Sequence, residues 1–77
     1  MSTADLMRYA LDLADRNVRS GRGGPFAALI VEDGEVLAEG TNRVTTVHDP
    51  TAHAEVVAIR AACEERSHFE LDGCTLV

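Results

Sequence analysis

Six consecutive apolar residues, Phe26 to Val31, run into Glu32 and then Asp33-Gly34, and this stretch constrains the chain most. An apolar run without polar alternation suits a strand buried on both faces. Asp-Gly is the strongest short hairpin signal, because a type I′ turn needs positive φ at both central positions. The chain is therefore expected to return as a second strand over 35–42. Gly40 weakens the far end of that strand and permits another group to approach closely.

Helical spacing flanks the hairpin on both sides. Leu6, Ala10, Leu13, Ala14 and Val18 recur on one face and predict a helix over 3–20. Ser2 followed by Asp5 has the form of a capping box, with Asp in place of Glu. Ser20-Gly21-Arg22-Gly23-Gly24-Pro25 ends that helix in a loop. After a polar loop over 43–51, Val56, Ile59, Ala62 and Cys63 predict a second helix over 52–66. Asp49 or Thr51 is its expected cap, with Pro50 suited to the first position. A loop over 67–73 leads to a third strand over 74–77.

The order is helix, strand, strand, helix, strand. The final strand–helix–strand unit needs a crossover, so the third strand is expected to run parallel to one of the hairpin strands. A three-layer α/β arrangement is expected, seen only in part. At 77 residues the chain is one domain at most. A chain of this size buries only ~60% of the surface exposed when unfolded, so its stability is marginal. A short last strand ending on an apolar residue leaves an open edge. That ending carries the expectation that the sequence is a piece of a longer protein.

The net charge is −6, and all seven positive charges are Arg. An acidic chain has no general attraction to phosphate backbones, so a nucleic-acid partner is not expected. Asp12 precedes Arg16 by four and Asp15 precedes Arg19 by four, which gives surface pairs of ~0.3–0.5 kcal/mol each. The first-helix Arg residues therefore read as a solvated face. No apolar run is long enough to span a membrane, and the charges among the first twenty residues do not suit a signal peptide. Cys63 and Cys74 form no chelating or disulfide pattern, and both read as small buried residues in a reducing cytoplasm. His48 and His68 read as surface residues, and Tyr9 as partly buried.

His53-Ala54-Glu55 opens the second helix. Side chains in a first turn lean toward the helix start, so two of them can converge just off its tip. Neutral His is a good zinc ligand, and Glu can hold a proton beside a metal-bound water. The free N–H groups of the helix end add positive potential. On its own the tripeptide reads as a capping His and a first-turn Glu that favours the dipole.

The longer context carries more. His48-Asp49-Pro50-Thr51-Ala52-His53-Ala54-Glu55, followed by Ala58-Ile59-Arg60, resembles the zinc-binding motif of the cytidine-deaminase-like superfamily. Gly23-Gly24-Pro25-Phe26, Asp33-Gly34, Gly40-Thr41-Asn42-Arg43 and Leu71-Asp72-Gly73-Cys74 match in order. The resemblance covers residues 5–77. Within the superfamily, Gly23-Gly24-Pro25-Phe26 and Asn42-Arg43-Val44-Thr45-Thr46 look like guanine deaminases. Bacterial tRNA adenosine deaminases share the stretch from His48 to Glu55. Phe26 and the acidic balance favour the first of these.

The resemblance implies a three-layer α/β/α cytidine-deaminase-like fold, of which residues 1–77 are the amino-terminal part of a single zinc-dependent deaminase domain. It implies hydrolytic deamination of a small purine base, guanine to xanthine and ammonia. It makes His53 a zinc ligand and Glu55 the general acid and base. Asn42, Phe26 and Ala54 become substrate-binding residues, with Asn42 reading a ring edge and Phe26 lying against the purine plane. Two further readings stay open at these positions: Asn42 as a turn residue that ends a strand, and Phe26 as core packing. The resemblance also implies a cytoplasmic homodimer.

A site of this type needs three protein ligands and a water. The family's other two ligands come from Pro-Cys-x-x-Cys after the third strand, which the 77 residues do not reach. Cys63 lies ten residues down the helix from His53, ~15 Å along its axis, and Cys74 alone leaves the site one ligand short. The expectation is a fragment inactive by itself. A tRNA-editing adenosine deaminase and a non-catalytic interaction module remain as alternatives.

Overall fold

The computed structural model describes residues 1–68 and 70–77; Phe69, within the loop expected over 67–73, lies outside the described residues. Helix α1 spans Thr3–Arg19, and the hairpin strands are β1 (Ala27–Glu32) and β2 (Glu35–Thr41). Helix α2 spans Ala54–Arg66 and strand β3 spans Cys74–Leu76. Local chemistry explains most of these bounds. The Ser2 side chain accepts from the Asp5 N–H while Asp5 accepts from the Ser2 N–H, so the capping box forms. Asp33 and Gly34 have φ of 52° and 76°, the pair of positive values that a type I′ turn requires. The two expected helix-face ion pairs, Asp12–Arg16 and Asp15–Arg19, both close at 2.9 Å.

The sheet order is β2-β1-β3, with β1 antiparallel to both neighbours. Strand β3 therefore runs in the same direction as β2, as the crossover through α2 requires, but it hydrogen-bonds to β1. Its pairs are Ile30 with Leu76, Val31 with Thr75 and Glu32 with Cys74. The central strand is covered on both faces. Ala28 and Ile30 pack with Ala54, Ala58 and Ala62 of α2. Leu29 and Val31 pack with Leu6 and Ala10 of α1. The result is helix, sheet, helix: three layers, as the unbroken apolar run of β1 demands.

Two helix faces differ from their expected composition. In α2 the buried stripe is Ala54, Ala58 and Ala62, while Ile59 is exposed and Val56 and Cys63 are half-buried. The helix lies so close to β2 at Gly40 that only small side chains fit between them. A Cβ on Gly40 would stand 2.4 Å from both the Ala54 carbonyl oxygen and the Ala58 nitrogen. In α1 the buried residues are Leu6, Ala10 and Asn17, and Val18 points to solvent. Neither Asp49 nor Thr51 caps α2. The helix starts two residues later than expected, with His53 as its N-cap residue and no side-chain cap hydrogen bond. Asp49 instead closes its own turn, accepting from the Thr51 N–H at 2.9 Å and the Thr51 hydroxyl at 2.7 Å. Cys63 and Cys74 are half-buried free thiols rather than fully buried ones; Cys74 packs against the cluster that α2 makes with β1. His48 and His68 are exposed and Tyr9 is half-buried, as expected.

Candidate active site

Three chain segments carry the residues of interest: the loop before β1, the end of β2 and the start of α2. At α2, the Asp49–Thr51 turn delivers the backbone to His53. The Arg43 N–H donates to the Ala52 carbonyl at 2.8 Å, which ties the end of the hairpin to the residue before His53. Arg60, on α2, reaches back to the same turn, with Nη1 3.4 Å from Asp49 Oδ2 and Nη2 3.3 Å from Thr51 Oγ1. The Thr51 hydroxyl bond, then the Thr51 N–H, then Arg60 hold the Asp49 carboxyl below its usual titration range.

His53 and Glu55 are both exposed at the first turn of α2, and Ala54 between them is buried against Gly40. The first intrahelical bond runs from the Val57 N–H to the His53 carbonyl, 2.9 Å. The N–H groups of residues 54–56 precede that bond and lie at the positive end of the helix. An imidazole, a carboxylate and a set of backbone donors therefore share one exposed helix tip.

Asn42 follows β2 and is half-buried. Its N–H donates to the Phe26 carbonyl at 3.2 Å, and its carbonyl accepts from Asn17 Nδ2 at 3.1 Å. The side-chain oxygen takes a long 3.4 Å contact from the Val44 N–H. Gly23 and Gly24 pass directly over this residue. A Cβ on Gly23 would lie 1.9 Å from the Asn42 carbonyl oxygen, and one on Gly24 would lie 3.6 Å from the Phe26 ring and 3.7 Å from Asn42 Cγ. Phe26 is 62% exposed, so core packing does not account for it. Two of the five expected residues, Asn42 and Phe26, are thus joined by a direct backbone bond. The other three, His53, Ala54 and Glu55, are consecutive on the helix tip.

A cleft of about 600 Å³ lies elsewhere. It lies between the end of α1 and the end of β2, among Arg16, Asn17, Arg22, Thr41 and Arg43, and none of the five expected site residues lines it. A smaller hollow of about 230 Å³ is lined by Met7, Leu11, Pro25, Phe26 and Val77 among others. Sequence reasoning missed Asn17 and Arg60. Asn17 could have been found as a polar residue at the helical spacing of Ala10, Leu13 and Ala14; Arg60 stood in the motif segment Ala58-Ile59-Arg60 but was given no role.

Residues 1–77 match the sequence profile described as the cytidine and deoxycytidylate deaminase zinc-binding region. The chain belongs to that deaminase family. It is 51% identical over 76 residues to guanine deaminase from Bacillus subtilis, spanning 99% of this chain and 49% of that protein. It is 40% identical over 70 residues to the tRNA-specific adenosine deaminase of Aquifex aeolicus, spanning 91% and 46%. The X-ray structure of the Bacillus subtilis guanine deaminase superposes with a TM-score of 0.95, covering 99% of this chain and 48% of that one. Guanine deaminase from Nitrosomonas europaea superposes at 0.85 with 38% identity, covering 91% and 42%. The chain spans about half the length of the curated relatives it matches. The fold is a partial cytidine-deaminase-like α/β fold, as the motifs implied.

Zinc is the metal that this deaminase family implies. The donors present fit it in kind but not in number. His53 offers an exposed imidazole that no cap hydrogen bond occupies. Among the described residues, however, no group of three His, Cys, Asp or Glu side chains could hold a metal ion.

Proposed function

We propose that these 77 residues are the amino-terminal part of a single zinc-dependent deaminase domain that converts guanine to xanthine and ammonia, and that they are inactive by themselves. The observation that carries this reading is the 51% identity to a guanine deaminase over 99% of the chain. The placement of His53 and Glu55 together on the α2 tip supports it.

In this reading His53 is one ligand of the metal. Zinc, when bound, supplies a water whose pKa is lowered to near 7. Glu55 would take one proton from water and deliver it to a ring nitrogen of the purine as the water oxygen adds to the carbon bearing the amino group; it would then take the second proton from that oxygen and pass it to the amino group, which leaves as ammonia. Asn42 reads the ring edge, since its amide carries both donor and acceptor. Phe26 lies against the purine plane with its exposed ring. Ala54 lies at the substrate side of the helix tip through its backbone. The free thiols of Cys63 and Cys74 suit a cytoplasmic location.

The Aquifex aeolicus relative favours a second reading, deamination of adenosine in tRNA. The net charge of −6 weighs against it, since a phosphate backbone is bound by positive charge. A chimera separates the two: this chain replaces the aligned stretch of the Bacillus subtilis guanine deaminase. Release of xanthine from guanine, lost in Glu55→Gln, is expected. Activity on an adenosine-containing anticodon stem without activity on guanine overturns the proposal. For the bare chain, zinc near zero after exhaustive dialysis is expected. A value near one per chain overturns its inactivity.

A further inference from the structure

Asn17 sits where the helical spacing of α1 calls for an apolar residue. It is 4% exposed, one turn beyond Leu13 and two beyond Ala10. A buried amide is costly unless it is hydrogen-bonded. Here both amide protons are used and the oxygen is not. Nδ2 donates to the Gly24 carbonyl at 2.9 Å and to the Asn42 carbonyl at 3.1 Å, while Oδ1 is buried without a partner. The orientation of the amide follows from its partners, since two carbonyls accept only from the nitrogen side.

Those two carbonyls belong to the two segments that carry Phe26 and Asn42. Asn17 spans the gap between them from the helix side. The Asn42 backbone is then held at its N–H by Phe26, at its carbonyl by Asn17, and by Gly23, which leaves no room for a Cβ. We infer that Asn17 is a positioning residue: its amide fixes the Asn42 main chain relative to the Gly24–Phe26 segment and so aims the Asn42 side chain. The use of that side chain on a purine edge rests on the proposed function; the strut itself does not.

The test uses ¹⁵N-labelled 77-residue chain. In Asn17→Ala, the amide resonances of Gly24, Phe26 and Asn42, with the Asn42 side-chain amide, are expected to shift or broaden. In Ala10→Gly, which loosens the same helix without touching the strut, they are expected to stay in place. Unchanged resonances in Asn17→Ala, or equal changes in both variants, overturn the inference. If Asn17→Ala does not fold, the wild-type chain decides. Slow solvent exchange of both Asn17 side-chain protons supports the strut, and free exchange overturns it. A titration with 8-azaguanine judges the other layer separately. A shift of the Asn42 side-chain amide in wild type that is lost in Asn17→Ala supports positioning for the base. No wild-type shift removes the base-reading role of Asn42 while the resonance comparison still judges the strut.

Discussion

Gly40 of β2 lies so close to α2 that a methyl group on it would stand 2.4 Å from the Ala54 carbonyl oxygen. The obstructing atoms, that oxygen with the Ala58 nitrogen and Cα, are all backbone, so none can swing aside as a side chain would. Overpacking of this kind costs about 1–3 kcal/mol. Gly40→Ala is expected to lower the unfolding free energy measured by urea titration by that amount, lowering the midpoint, and to displace the start of α2, where His53 and Glu55 lie. An unchanged midpoint would mean that the helix can slide over the sheet without cost.

His53 is the N-cap residue of α2 but does not cap it with its side chain. A capping side chain replaced by Ala would cost ~1 kcal/mol. His53→Ala is instead expected to change stability by no more than about 0.5 kcal/mol, as for an exposed residue without such a bond. The wild-type chain is expected to respond weakly to millimolar zinc at the His53 ring protons, while the His48 and His68 ring protons are expected to respond alike in wild type and variant. A loss of a full kcal/mol would return His53 to a structural capping role.

Tyr9 hydrogen-bonds Glu39 across the α1–β2 layer. That bond, then desolvation and the nearby carboxylate charge, raises its hydroxyl above the ordinary 10. Because Tyr9 is the one tyrosine of the chain, absorbance at 295 nm reports it alone. Its folded-state titration is expected above 10, falling back toward that value in Glu39→Gln. With the folded value raised, the stability from this bond is complete below pH 10 and is lost as pH rises through the folded pKa.

Asp49 gives the opposite sign. Its carboxyl is held below the usual 3.8, first by the Thr51 hydroxyl, then by the Thr51 N–H and Arg60. The stability from these bonds is present above pH 3.8 and is lost as pH falls through the lowered folded value. Asp49→Asn is expected to flatten the acid limb of a stability-against-pH curve without removing it. Asp5, bonded to Ser2, is lowered as well and contributes to the same limb. An acid limb unaltered by the substitution would place the acid sensitivity elsewhere.

Local signals in the sequence determined every element of the described fold. The Ser2–Asp5 box, the Asp33-Gly34 turn and the two-sided apolar run of β1 each depend on neighbours within a few residues, so the residues alone specify them. The motif around His53 and Glu55 was legible for the same reason. What only the tertiary structure decided was which helix face is buried. In α2 the larger Val56 and Ile59 gave the stronger apolar signal, yet the stripe of Ala54, Ala58 and Ala62 faces the sheet. That choice belongs to Gly40, distant in sequence, whose missing side chain lets the two backbones come close enough to exclude anything larger than a methyl group. In α1 Asn17 displaced Val18 from the interior because two carbonyls of other segments lay within its reach. Periodicity records the size and polarity of a side chain, but not the partner across from it, and at both helices the partner decided.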